Sequence, residues 1–197
     1  VKPELEAPVY AYLGEDEAID HEHPDIQTLA SGLRGEGGDD TSYARLAFEY
    51  VRDEIAHSLD VRDPRVTWRA SDVLAQGVGL CFAKSHLYVA LLRAAGIPAG
   101  LCYQRLSDGN GGHVLHGLAA LELDGDWTRQ DPRGDRPGLT TRFSLEGEWL
   151  AYTVRPELGE TDYPTVYVSP HPAVLSVLRE WTDVLALCDG HLPGELP

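Results

Sequence analysis

The sequence predicts an α+β fold, in which N-terminal helices lead to a cysteine-bearing helix packed on an antiparallel β-sheet. Three observations predict it. Ala83, Leu87, Ala90, Leu91 and Ala94 recur at helical spacing, so the segment after Cys81 is a helix with an apolar stripe. That helix has a defined end, with Arg93 in its last turn, Gly96 as C-cap and Pro98 just beyond. The run His113–Leu123, followed by Asp124-Gly125 and then Asp126–Asp131, reads as two strands joined by a tight hairpin. The helix's stripe needs an apolar face to cover it, and the run 114–123 supplies one.

The remaining elements follow in order. Residues 1–40 hold an apolar start at Val9–Leu13, an acidic segment, a short helix over Asp25–Leu33 and a Gly/Asp-rich break at 35–40. Asp40 or Thr41 caps a helix reaching about His57, with Ala44, Phe48, Val51 and Ile55 on one face. Arg62–Arg65 is a connection, and Ser71 or Asp72 opens a brief helix before the glycine turn at Gly77–Gly79. Strands are expected at about 100–105, 114–123 and 127–131, and another within 139–153. Leu175–Leu187 reads as a final helix, with Leu175, Leu178, Trp181, Leu185 and Thr182 facing inward. No repeat, low-complexity tract or linker divides the chain, so residues 1–197 are expected to form one domain with its core at about 41–135.

Chemistry concentrates at Cys81. Gly77-Val78-Gly79-Leu80 brings the chain to it at the head of a helix. Unpaired N–H groups and the positive end of the helix dipole favour a thiolate there. Gly79 lets backbone approach a substrate closely, and Gln76 is a candidate donor to an oxyanion. A lone cysteine is more often a small buried residue, so a partner base decides the matter. If Asp124-Gly125 is a two-residue loop, Leu123 faces Asp126 and Leu118 faces Asp131. His116 then shares a face with Asp131, one diagonal step away. Thiolate, imidazole and orienting carboxylate make a Cys81-His116-Asp131 triad, expected to set the sulfur against one ring nitrogen and the carboxylate against the other. A bulge at Gly125 would separate the pair onto opposite faces.

The segments Ala70–Cys81 and Leu91–Ala99, and then His116–Pro132 with its Asp-Gly-x-Trp and Asp-Pro, resemble the core of the bacterial transglutaminase-like superfamily. The helix at Tyr50–Ile55 resembles the approach to that core, and the likeness spans roughly residues 41–135. It implies a papain-like arrangement with Cys81 as nucleophile, His116 as base and Asp131 as orienting acid. Cross-linkers, cysteine peptidases, amidases and inactive members share that superfamily, so the resemblance implies acyl or amide chemistry on a peptide or protein without naming the substrate. A catalytically inactive binding or scaffold domain is the alternative.

Other polar residues have plainer readings. His113 would replace His116 as base only if the strand slipped by one register. His86 reads as a helix-surface histidine or one supporting the site from outside, and His57 and His171 have no identifiable partner. Cys81, His113 and His116 could in principle ligate zinc, but no Cys-x-x-Cys or His-x-x-x-His module accompanies them, so neither metal nor cofactor is expected. Cys102 and Cys188 read as small apolar residues, and Trp127 as an aromatic of the hairpin core. Three cysteines without disulfide spacing fit a reducing, cytoplasmic setting. With 16 Lys+Arg against 32 Asp+Glu, the net charge of −16 repels phosphate backbones and argues against nucleic acid. No apolar run reaches the length of a membrane span, so no membrane partner is expected.

Overall fold

A helix whose side chains are buried all round lies at the centre of the molecule. In the computed structural model, which describes residues 1–197, this is α5, Cys81–Ala94, and every residue from Cys81 to Arg93 is buried. The apolar stripe expected from the sequence is therefore only one of its faces. The polar positions between are buried too, because other elements cover them. Lys84 donates to the Arg52 carbonyl at 3.2 Å and to that of Ile55. His86 Nδ1 bonds the Trp68 carbonyl at 2.7 Å, so His86 is not on the surface. Arg93 donates to the carbonyls of Ala99, Gly14 and Val168.

The elements preceding α5 wrap it. A two-residue strand β1 (Glu4–Leu5) and a 3-10 turn (Val9–Leu13) lead to α1 (Pro24–Gly37) and α2 (Asp40–Glu54). Helix α1 runs through Gly35 and Gly37, and the break falls at Gly38, later than expected. Asp39, not Asp40 or Thr41, caps α2, its carboxylate accepting from Ser42 N–H at 2.8 Å. Then come β2 (Ala56–His57), the single turn α3 (Ser58–Val61), α4 (Ala70–Gln76) and β3 (Val78–Gly79). Gly77 ends α4 at φ +65°, which a residue with a side chain adopts poorly, and turns the chain into β3. Strands β2 and β3 pair in parallel, setting His57 against Gly79.

On the other side of α5 lies an antiparallel sheet. Its strands are β4 (Ala99–Ser107), β5 (His113–Leu123), β6 (Asp126–Gln130) and β7 (Thr161–Asp162), in the order β6-β5-β4-β7. The hairpin has the expected two-residue loop: Asp124 and Gly125 take φ +55° and +90°, and Leu123 pairs with Asp126. Residues 139–153 form no strand, contrary to expectation; they run as irregular chain held by side-chain bonds from Gln130 to the Ser144 carbonyl and from Arg129 to Glu148. A short β8 (Thr165–Val166) pairs with β1. The expected final helix is two, α6 (Pro172–Glu180) and α7 (Val184–Cys188), because Asp183 caps α7 through the N–H groups of Leu185 and Ala186. Val174, Leu178, Val184 and Leu187 face the core, whereas Thr182 is exposed. One apolar core gathers residues from Ile19 to Leu187 around α5.

Candidate active site

Helix α5 meets strand β5 at Gly117, a strand residue with no side chain. A Cβ on Gly117 would come within 2.6 Å of Phe82 Cδ1, 3.0 Å of its Cα and 3.2 Å of its N. Only glycine admits the helix head so close. The contact brings Gly117 N–H to 3.4 Å from Cys81 Sγ. The helix's own ladder begins with Lys84 N–H bonding the Leu80 carbonyl, and Leu80 supplies no side-chain cap. The amides of Cys81, Phe82 and Ala83 are thus left without an intrahelical acceptor, beside the sulfur.

The residue before Gly117 supplies the imidazole. His116 Nε2 lies 2.9 Å from Asp131 Oδ2, which leaves Nδ1 as the ring nitrogen not held by the carboxylate. Asp131 follows β6 directly, and the observed register extends to set it opposite Leu118, diagonal to His116. Its carboxylate is fully buried and fully engaged. Oδ2 also accepts from Ala151 N–H at 2.8 Å, and Oδ1 accepts from Arg133 N–H at 3.1 Å. The edge of Tyr152 packs on the His116 ring, with centroids 5.0 Å apart.

These contacts set the charges. Burial opposes a protonated His116, but the Asp131 carboxylate and the Cys81 sulfur outweigh it and hold the imidazole well above its ordinary pKa. For Asp131, burial opposes ionisation, yet His116 and the two backbone N–H groups keep it below the usual carboxylate range. Burial pushes both Cys102 and Cys188 up to about 12.

Above Cys81 opens a cleft of about 600 Å³, floored by Cys81 and His116. Its walls are mainly apolar, including Phe82, Leu106, Leu115 and Leu192, with Arg133, Arg136 and Arg155 also lining it. Of the residues singled out from sequence, Cys81, His116 and Asp131 come together. Gln76 does not join them: it ends α4 in solvent, away from the cleft. Gly79 is buried below the cleft, where a Cβ would meet Ala83 and Thr67 at 3.0–3.1 Å, so its role is close packing rather than substrate approach. His113 is held elsewhere, between the Arg105 guanidinium at 3.1 Å and the Leu158 carbonyl at 3.0 Å. No group of three or more His, Cys, Asp or Glu side chains is arranged to hold a metal ion.

Residues that the sequence reading did not assign also build the site. Arg133 clasps Asp60 with two bonds of 2.7 and 2.9 Å, and Ala151 and Tyr152 come from a segment with no regular structure. Only the fold joins them to His116.

Residues 27–132 match the Transglutaminase-like superfamily. The chain belongs to that superfamily. Among solved structures, a candidate cysteine protease from Cytophaga hutchinsonii is similar at 19% identity, over 64% of this chain and 42% of its own, with a TM-score of 0.51. The periplasmic domain of TgpA from Pseudomonas aeruginosa is similar at 22% identity, over 64% of this chain and 48% of its own, with a TM-score of 0.47. This chain thus spans less than half of either structure, and its likeness to the Cytophaga protein is one of fold. No curated protein matches in sequence.

Proposed function

We propose that this transglutaminase-like protein is a cysteine enzyme acting on amide or acyl bonds of a peptide or protein through a Cys81-His116-Asp131 triad. The observation that carries the reading is the meeting of three features at the cleft floor. A sulfur at a helix head accepts Gly117 N–H, and an imidazole lining the same cleft is backed at 2.9 Å by a buried carboxylate. Cys81 Sγ attacks the acyl carbon, and the C–S bond forms as the carbonyl π pair moves to oxygen. The carbonyl reforms as the amine leaves with its bonding pair and a proton from His116. Water activated by His116 then opens the thioester. Hydrolysis is preferred over transfer because water needs no second binding site. A reducing, cytoplasmic setting completes the proposal, since it would keep Cys81 free.

The test is thiol mapping. At pH 6, iodoacetamide should label Cys81 well before Cys102 or Cys188, and acyl-type probes should leave an adduct on Cys81 that Cys81→Ala abolishes. Equal labelling of all three thiols, or labelling only in denaturant, would instead favour a binding domain.

A further inference from the structure

His57 lines the same cleft and has no role in the chemistry above. The pairing of β2 with β3 sets it beside Gly79, two residues before Cys81. It is 8% exposed and shares the cleft wall with Cys81, Phe82 and His116. Its Nδ1 is buried without a hydrogen-bond partner. Nε2 is not among the buried unpartnered atoms, which leaves it as the ring nitrogen through which this cleft-lining residue can meet a ligand.

An orphaned buried nitrogen costs about 1–3 kcal/mol, which calls for an explanation in function or strain. Burial, reinforced by the Arg133 guanidinium, pushes His57 down to about 3, so at neutral pH the ring is uncharged and too weak a base to deprotonate a thiol. A neutral imidazole carries one N–H. On Nδ1 that donor would be buried with no acceptor. On Nε2 it meets whatever occupies the cleft.

We infer that His57 is an oxyanion donor, its Nε2–H joining the unpaired amides at the head of α5 to hold the acyl carbonyl oxygen as Cys81 attacks. This rests on the proposed nucleophilic role of Cys81. The donor supplies no proton to the products. As the C–S bond forms it receives the negative oxygen, and it releases that oxygen when the carbonyl reforms and the leaving group departs. Such a donor acts only where charge develops on oxygen, which separates it from a residue that forms or positions the thiolate.

Two reagents exploit that difference. Alkylation by iodoacetamide displaces iodide and creates no oxyanion, whereas acylation by 4-nitrophenyl acetate passes through one. Against wild type, His57→Phe should acylate roughly 10²–10³-fold more slowly, yet alkylate within about twofold. His57→Gln, which can present an amide N–H near the Nε2 position, should recover about tenfold of that loss. His57→Ala replaces His57→Phe if thermal unfolding shows that the larger ring disturbs folding. Equal acylation in all variants overturns the inference. So does an equal loss of acylation and alkylation, which would assign His57 to thiolate formation or packing. Failure of the underlying reading looks different: wild type itself would be alkylated at Cys81 but not acylated, overturning both proposals.

Discussion

Gly117→Ala tests whether the close approach of α5 to β5 sets the position of Cys81. The added Cβ would lie 2.6 Å from Phe82 Cδ1 and 3.0 Å from Phe82 Cα, where ordinary contact begins near 3.4 Å. The ring cannot simply swing aside, because Phe82 is 1% exposed and packs against Tyr103 with centroids 6.3 Å apart. Helix and strand must therefore part by about 0.4–0.8 Å, and the 3.4 Å contact from Gly117 N–H to Sγ lengthens to about 4 Å. Overpacking of this kind costs about 1–3 kcal/mol, offset in part by the 0.5–1 kcal/mol that Ala gains over Gly in a strand interior, leaving about 0–2.5 and about 1 at the centre. For a chain of this size a loss of about 1 kcal/mol lowers Tm by about 2–4 °C. A misplacement near 1 Å costs about 10²-fold in rate, so about tenfold or more is expected here. The assays are thermal unfolding, Cys81 alkylation at pH 6 and acylation by 4-nitrophenyl acetate. Gly32→Ala is the control, since nothing lies within 4 Å of a Cβ there and its helical site should leave both rates alone. Unchanged Tm and unchanged rates in Gly117→Ala would refute the argument that this contact positions the sulfur.

Asp131→Asn keeps the shape and removes the charge. Acyl transfer should fall by roughly 10²–10⁴-fold as His116 loses the carboxylate that orients and stabilises it. The stability profile has a sign. Raised His116 contributes stability that is full below its unfolded value of about 6.5 and is lost as pH rises through its folded pKa. Depressed Asp131 contributes above its unfolded value of about 3.9, lost as pH falls through its folded pKa. The difference in unfolding free energy between wild type and variant should therefore be largest between about pH 4 and 6.5, and urea titrations at pH 4, 6 and 9 would expose a flat difference as a contradiction. Arg129→Met should cost about 1–2 kcal/mol, because buried Arg129 bridges exposed Glu148 and part-buried Asp162 at 2.6–2.7 Å and its loss leaves Asp162 only the Gln104 amide. It should also loosen the segment that carries Ala151 and Tyr152, seen as faster hydrogen exchange at the Ala151 amide.

The diagonal between His116 and Asp131 was legible because a two-residue loop fixes hairpin register locally, and alternation then assigns faces. The head of α5 was legible for a similar reason, since Gly77 and the apolar run after Cys81 are local signals. What stayed hidden was set at a distance. Arg133 and Asp60 are 73 residues apart, and nothing in either segment marks the other. His57 stood without a partner in sequence and still has none, so only its place in the cleft gives it meaning. Residues 139–153 carry enough apolar side chains to suggest a strand, but the exposed edge of β4 pairs instead with the two-residue β7. The burial of α5 on every side could not be read from a single stripe. Its polar residues look like a solvent face until the carbonyls of other elements are found against them.

Lys84 shows what that central placement costs and how it can be measured. It lies one turn beyond Cys81, is fully buried, and bonds the carbonyls of Arg52 and Ile55, which end α2 and lead into β2. Burial, helped by the charge of Arg133 and opposed by Asp131, Asp53 and Asp60, brings it down to about 7. In the unfolded chain it titrates near about 10.4. Between those values the unfolded chain binds the extra proton, so this residue makes stability rise with pH across the window from about 7 to about 10.4. Each pH unit inside it is worth up to about 1.4 kcal/mol. Lys84→Met fills much of the same volume without the charge. It orphans two carbonyls, a loss at every pH, but it removes the slope. The unfolding free energy of wild type minus that of Lys84→Met should therefore increase by about 2 kcal/mol from pH 7 to pH 9 in urea titrations, other groups cancelling in the difference. Parallel profiles would mean that Lys84 remains charged in its buried site, held by the surrounding carboxylates, and that α5 carries a permanent cation beside the Cys81 cleft.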